Sequence, residues 1–355
     1  LDRAVEGLAP NDILVRRAQD GLGLTRPELA VLLSTAKLAL QDAIEHSDVA
    51  QDPAMIDDLL AGFPPAMVKA HRSAIENHQL RGQIVATKTA NRLINRLGLI
   101  HPFELAEEEG ASLGDIAASF VIVERLFSLR TMWDAIDDAD VSEGARLMLF
   151  EQVAMEARAQ MADLLRNAVA GRSVGDTIAA LAPGVSRLAA QLDGLLHEEA
   201  RAQASDFGRR LGEAGAPTKL VDKVVRLAEM DGAIGLAALG NRTGTDELEL
   251  TRAFVTLGAA LGLDWAQGVA MRQSPTDPWE RLLISGLARD FETIRLEFLA
   301  RNAKEPEARV NAWLEAQSPR IAQFRALIDR ARMVAVPSGA MLAQIAGQAR
   351  VLLSR

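Results

Sequence analysis

Few residues in this chain have the type and spacing that chemistry needs. STAK at 34–37 sets Ser34 three residues before Lys37, a spacing at which a lysine amine can take a proton from a serine hydroxyl. That chemistry comes with Ser-Asp-Asn and Lys-Thr-Gly elements, and neither occurs here. A four-residue pattern recurs by chance, so both residues read as helix surface. GVSRL at 184–188 lacks the closing glycine of a Gly-x-Ser-x-Gly elbow. GLGLTR at 21–26 starts like a dinucleotide turn, but Arg26 stands where the third glycine belongs and the preceding segment reads as helix. No P-loop pattern occurs, and GAIGLAALG at 232–240 reads as a small-residue helix and its end.

Metal chemistry fares no better. His71 and His78 are seven apart, which on a helix separates them by about 10 Å along the axis. One zinc holds its nitrogens within about 2.1 Å, so this pair is not expected to share an ion. HEEAR at 197–201 lacks the second histidine of a zincin. The chain contains no Cys, which excludes disulfides, thiolate nucleophiles and cysteine-ligated zinc. Asp57–Asp58 and Asp137–Asp138 are adjacent pairs. Neighbours on a helix point about 100° apart, so they are poor acid–base partners and read as solvated.

One segment does stand out. The chain carries a formal net charge of -9, yet HQLRGQIVATKTANRLINRLG at 78–98 has Arg81, Lys88, Arg92 and Arg96 and no carboxylate. At 100° per residue the four cations form one stripe. Leu80, Ile84, Thr87, Asn91 and Ile94 form a second face, and Gly82, Ala86, Ala90, Leu93 and Leu97 a third. Two packed faces predict a central helix, with the small residues admitting a close neighbour. Asn91 then needs a hydrogen-bond partner, as a register or loop contact. The basic stripe reads first as a solvated face. Its alternative is a contact for an anion or another domain. Glu107, Glu108 and Glu109 precede Gly110 at an expected helix end. Carboxylates there oppose the helix dipole, so a pairing with Arg92 and Arg96 is expected.

The elements around these residues are helical. TRPE at 25–28 is a capping box with proline just inside. It opens a helix over roughly 26–46 that places Leu29, Leu32, Leu33, Ala36, Leu40 and Ala43 on one face. Pro64 and Pro65 open one long segment that Gly98 closes. Ser112 and Ser142 are N-cap candidates. FVIVE could pass for a strand, but Ile116, Phe120, Val123 and Phe127 recur at helical steps. From Ser142 onward the chain is rich in Ala, Leu and Arg, with breaks expected near Gly171, Pro183, Gly215–Pro217, Gly240–Gly244, Pro275–Pro278, Pro306, Pro319 and Pro337. The expected fold is therefore all-α, a multi-helix bundle or array with a long central helix and no significant sheet. Two regions are expected, 1–140 and 141–355.

At 355 residues and a pI near 5.2, an acidic protein repels phosphate backbones and anionic lipid. With aromatics at 4% and no Tyr, stacking platforms for single strands are scarce. Neither nucleic acid nor membrane is an expected partner. The nearest apolar run, AFVTLGAALGL at 253–263, falls short of the roughly 18 residues of a span. No signal peptide is visible, and a cytoplasmic protein is expected. The first residue is not Met, so the chain is expected to be a piece of something longer. Residue types alone yield no active site.

Longer motifs carry more. LDRAVEGLAP with GLGLTRPELAVLLSTAKLAL, then HQLRGQIVATKTANRLINRLG, HPFELAEEEGASLGDIAASFVIVERLFSLRTMWDAID and DPWERLLISGLARDFETIRLEFL occur in this order. Together they resemble the region after the catalytic domain in the large-subunit, NAD-specific glutamate dehydrogenases of bacteria. The resemblance is strong over 1–140 and looser beyond. Where that family has two basic residues after the leucine this chain has Arg81 and Gly82, and Gln83 replaces its glutamate. The resemblance implies a helical C-terminal portion whose catalytic lysines and NAD fold lie upstream, with no catalytic residue or cofactor in this segment. It implies docking on the catalytic domain of the same polypeptide, a homo-oligomer, or allosteric control. The rival readings are an independent helical adaptor and an enzyme with a site around His78, Arg81 and Asn91.

Overall fold

The computed structural model describes residues 3–167, 171–191, 198–273, 275 and 277–354. Among them are nineteen α-helices, two 3₁₀ turns and no strand, as the helical periodicities predict. Contacts divide the chain into two compact units. One comprises Leu1–Val121 with Ser173–Gly175, the other Ile122–Arg172 with Asp176–Arg355.

The first unit contains α1 (Asn11–Gln19), α2 (Arg26–Glu45), the 3₁₀ turns Asp48–Gln51 and Pro53–Met55, α3 (Ile56–Leu60), α4 (Pro65–Glu76), α5 (Arg81–Leu97) and α6 (His101–Glu109). The division falls inside α7 (Leu113–Leu126). Thr25 and Glu28 form the expected capping box: Thr25 N–H donates to Glu28 Oε2 at 2.7 Å and Glu28 N–H to Thr25 Oγ1 at 3.4 Å. The backbone and hydroxyl donors of Thr25, with Arg17 at 2.9 Å, hold the Glu28 carboxyl down at about 2. Ser112 caps α7 in the same reciprocal way with Asp115. Ile116, Phe120 and Val123 of that helix are fully buried, so FVIVE is helix.

α5 is the central helix of this unit, packed by α2, α3, α6 and the first 3₁₀ turn. Gly82, Val85, Ala86, Thr89, Ala90, Leu93, Ile94 and Leu97 are its buried residues. Each large aliphatic among them contributes about 1.5–3 kcal/mol by leaving water. Two expectations need correction here. The segment 65–98 is two helices, because the chain turns at 77–80. Asn77 Nδ2 donates back to Ser73 O at 2.8 Å and Leu80 N–H donates to His78 Nδ1 at 3.1 Å, and these local bonds replace helical ones. His78 therefore lies in the turn and does not share a helix with His71. On α2, Leu40 and Ile44 are buried, but Leu29 is 44% and Leu33 38% exposed. The apolar stripe is present, but only the end beyond Leu40 is buried against a neighbour.

The second unit contains α8 (Leu129–Asp137), α9 (Glu143–Asn167), α10 (Val174–Gln191) from Asp176 onward, α11 (Glu198–Glu213), α12 (Thr218–Ala228), α13 (Ala233–Thr243), α14 (Glu247–Leu261), α15 (Leu263–Met271), α16 (Pro278–Arg301), α17 (Pro306–Ala316), α18 (Ser318–Arg332) and α19 (Gly339–Leu353). Two long helices organise it: α9 against α8, α12 and α13, and α16 against α13, α14, α15 and α19. Ser142 caps α9 through the Ala145 N–H at 3.2 Å. Pro183, expected to break the chain, sits inside α10. Proline costs a helix one hydrogen bond, and here Asn241 Nδ2 donates to Ala180 O at 2.7 Å in the turn before it. The apolar run at 253–263 bends by 86° between α14 and α15. No single helix among the described residues is long and apolar enough to cross a membrane.

Candidate functional site

The basic stripe of α5 is half-buried, not a wet face, and its cations grip the segment between α2 and α4. Arg81 donates to Glu76 O at 3.4 Å, Gln51 O at 3.4 Å and Asp52 O at 3.1 Å. Lys88 Nζ donates to Ala61 O at 2.9 Å. These carbonyls lie at the ends of α4, the first 3₁₀ turn and α3, where intrahelical donors run out and a cation meets the negative end of the dipole. Arg92 Nη1 lies 2.9 Å from Asp58 Oδ1, with side-chain exposures of 17% and 1%, and its guanidinium stands 5.7 Å from the Phe120 ring. Asp58 was expected to be solvated. The 100° step sends Asp57 outward and Asp58 into the core against α5. Gly62 lets this segment approach, since a Cβ there would lie 3.1 Å from both Ile84 and Lys88.

Asn91 Nδ2 donates within its own helix, to Thr87 O at 2.9 Å. Arg96 is half-buried in the last turn of α5. Glu107 is exposed and Glu108 and Glu109 are half-buried where α6 ends at Gly110, φ +63°. So His78, Arg81 and Asn91 each serve a nearby backbone group rather than converging on one point. Ser34 Oγ likewise donates to Ala30 O at 2.9 Å. GLGLT links helix to helix, so it does not form the strand-to-helix turn that cradles a dinucleotide. His197 of HEEAR lies outside the described residues.

A second polar set went unread in the sequence. On α9, Glu156, Gln160, Asp163 and Asn167 follow at i, i+4, i+7 and i+11, a narrow line on one face. Glu156, Gln160 and Asp163 are buried. Asp163 Oδ2 accepts from Gly235 N–H at 2.8 Å, in the first turn of α13, and Asn167 Nδ2 donates to Asp163 Oδ1 at 2.6 Å. Gln160 Nε2 donates to Met230 O at 2.8 Å. Gly235 is required, because a Cβ there would stand 2.9 Å from Asp163 Oδ1 and 2.6 Å from Leu296. From α16, Glu292 comes to the same point, since a Cβ on Gly235 would stand 3.2 Å from its Oε1 as well. Arg295, 1% exposed, bonds Asp264 and Gln267 of α15 and stacks 3.9 Å from the Phe254 ring. Gln267 Nε2 continues to Asp231 Oδ2 at 2.7 Å.

Burial raises the carboxyls of this set: Glu156 to about 8, Asp163 to about 6, and Asp231 and Glu292 upward. The charge of Asp231 adds to the rise at Glu156, while Gln152, donating at 2.6 Å, opposes it. A folded-state pKa above the unfolded one means that folding takes up a proton. The stability is full below the unfolded pKa and is lost as pH rises toward about 8. Glu156→Gln keeps the shape without the titration. It is expected to gain about 2 kcal/mol more at pH 7 than at pH 5, measured by urea unfolding at both pH values. Equal gains at both would remove Glu156 as the cause.

Residues 21–350 match the family described as glutamate dehydrogenase, C-terminal. The chain is 28% identical over 351 residues to the NAD-specific glutamate dehydrogenase of Pseudomonas aeruginosa, covering 97% of this chain and 22% of that protein. To that of Halomonas elongata it is 28% identical over 338 residues, covering 93% and 21%. To that of Mycobacterium tuberculosis it is 23% identical over 361 residues, covering 99% and 22%. The chain thus spans about a fifth of the length of these relatives. Because the match runs from Gly21 to Arg350 through both helical units, the chain belongs to the glutamate dehydrogenase C-terminal family.

Proposed function

We propose that this chain is the helical C-terminal part of an NAD-specific glutamate dehydrogenase. The reaction of such an enzyme takes L-glutamate, NAD and water to 2-oxoglutarate, ammonia and NADH. The role of this part is non-catalytic: it docks on the catalytic domain of the same polypeptide and, through that contact, supports a homo-oligomer or carries allosteric control. The observation that carries the reading is the family match along nearly the whole chain at a fifth of its relatives' length. The engagement of Arg81, Lys88 and Arg92 inside their own unit supports a structural role for the stripe. The exposed Leu22, Leu24, Leu29 and Leu33 around the start of α2 suit a contact with another domain better than the basic stripe does.

An antibody raised against the chain tests this in native extract. The expected band is several times larger than 38.2 kDa, and the protein it captures reduces NAD with glutamate. Removing the region is expected to lower that rate or break the assembly, as read by sedimentation, and Leu29→Asp with Leu33→Asp to do so in part. A band at 38.2 kDa would overturn the proposal and leave a free-standing helical adaptor.

A further inference from the structure

The seam between α9, α13 and α16 places ionisable groups where water does not reach, and they are predominantly acidic. Glu156, Asp163 and Glu292 are 4%, 6% and 7% exposed. Half-buried Asp231 stands beside them in the turn before α13, and Asp264 lies at the rim on α15 with its side chain 47% exposed. Arg295 is the cation that acts on Asp231 and Glu292. Of the helices packed on α9, α12 buries Leu220, Val221, Val224 and Leu227 and α8 buries Leu129, Met132, Trp133 and Ile136, while the Phe254 ring of α14 lies under Arg295. On the far side of α16, Arg350 of α19 reaches Asp290 at 3.4 Å.

Two carboxyls in contact cannot both ionise in such a place, so one carries a proton and donates it to the other. The acceptor is Asp163, which already takes N–H donors from Gly235 and Asn167 and faces the positive end of α13. The donor is Glu292, which has no such backbone partner. Gly232 and Gly235 let both carboxyls close on the start of α13, since a Cβ at either would lie within 3.4 Å of Glu292 Oε1. Three helices thus meet on one shared proton.

We propose that the Asp163–Glu292 carboxyl pair is a proton-held latch that joins α9 to α16 at the N-terminus of α13, and that this seam opens when the pair loses its proton. Opening then requires a proton to leave, so its equilibrium constant rises with pH by up to about tenfold per unit. The rise stops once the closed state itself deprotonates.

Hydrogen exchange of the whole chain, corrected for the intrinsic pH dependence of amide exchange, reads this locally. Protection in peptides from 233–243 and 284–300 is expected to fall by up to about tenfold per pH unit between pH 5 and 8. Protection in α5 is expected to hold steady. Glu292→Gln keeps a donor toward Asp163 and removes one of the titrating carboxyls, so its protection is expected to fall less steeply with pH than that of the wild type, with Glu156 and Asp163 still titrating. Asp163→Asn removes the other carboxyl of the pair and serves as the second variant should Glu292→Gln misfold, and the same shallower slope is expected. A wild-type profile with no local pH dependence would overturn the latch. So would a folded variant that keeps the wild-type slope, which would place the titrating group elsewhere.

Discussion

Arg295→Ala is expected to destabilise the second unit by about 3–5 kcal/mol, the cost of removing one partner from a buried charge set. Arg295 is 1% exposed, and its side chain does three separate things. Nε donates to Phe291 O at 3.1 Å, the two terminal nitrogens hold Asp264 and Gln267, and the plane stacks on Phe254. Alanine leaves Asp231 and Glu292 without the charge that favours their ionised forms. It also opens a cavity against Phe254. Arg295→Met separates the two effects, because it keeps a long stem and loses the charge. If electrostatics dominate, Met is almost as damaging as Ala; if packing dominates, Met restores most of the loss. Arg295→Lys is not expected to rescue, since an ammonium cannot bridge Asp264 and Gln267 with a planar fork. Urea midpoints give the measurement. A loss below about 1 kcal/mol for Ala would mean that the set is already neutral through protonation and needs no cation.

Arg92→Ala is expected to cost the first unit about 3 kcal/mol, near the lower end for a broken buried pair because Arg92 itself is 17% exposed and water can partly replace it. The loss comes from Asp58, which stays in the core at 1% exposure opposite the vacated site. Asp58→Asn in the Arg92→Ala background is therefore expected to recover most of the loss, although Asp58→Asn alone is destabilising. The double-mutant cycle gives the coupling directly. Additive losses would show that the two side chains act independently and that Arg92 matters through its contact with Phe120.

Particular residues show what could be read without coordinates. Thr25–Glu28 and Ser112–Asp115 satisfy the first amides of their own helices, and the requirement is local, so it is legible in four letters. Ile116, Phe120 and Val123 repeat at helical steps, which settled FVIVE as helix. The polar line Glu156, Gln160, Asp163 and Asn167 recurs at helical steps too, but Arg146, Glu151, Gln152, Arg158 and Arg166 lie on the same helix, and the sequence does not say which of these polar groups is buried. The seam belongs neither to the apolar periodicity nor to any short catalytic pattern.

Other features lay beyond the sequence. Leu29 and Leu33 have the same spacing relation to Leu40 as core residues, yet stay exposed, because periodicity gives a stripe and not the neighbour that covers it. Asp57 and Asp58 are adjacent and chemically identical, and only the packing of α3 on α5 separates a solvated carboxylate from a buried one. The stretch 65–98 turns at Asn77 because side-chain bonds to nearby backbone compete with the helix there. Sequence alone thus determined the all-helical class, the caps and the family, all of which rest on local hydrogen bonding or on long ordered motifs. Tertiary structure alone decided which charges are buried. Burial depends on what a second helix, tens of residues away, brings to the same point, and that sets whether a carboxyl holds its proton.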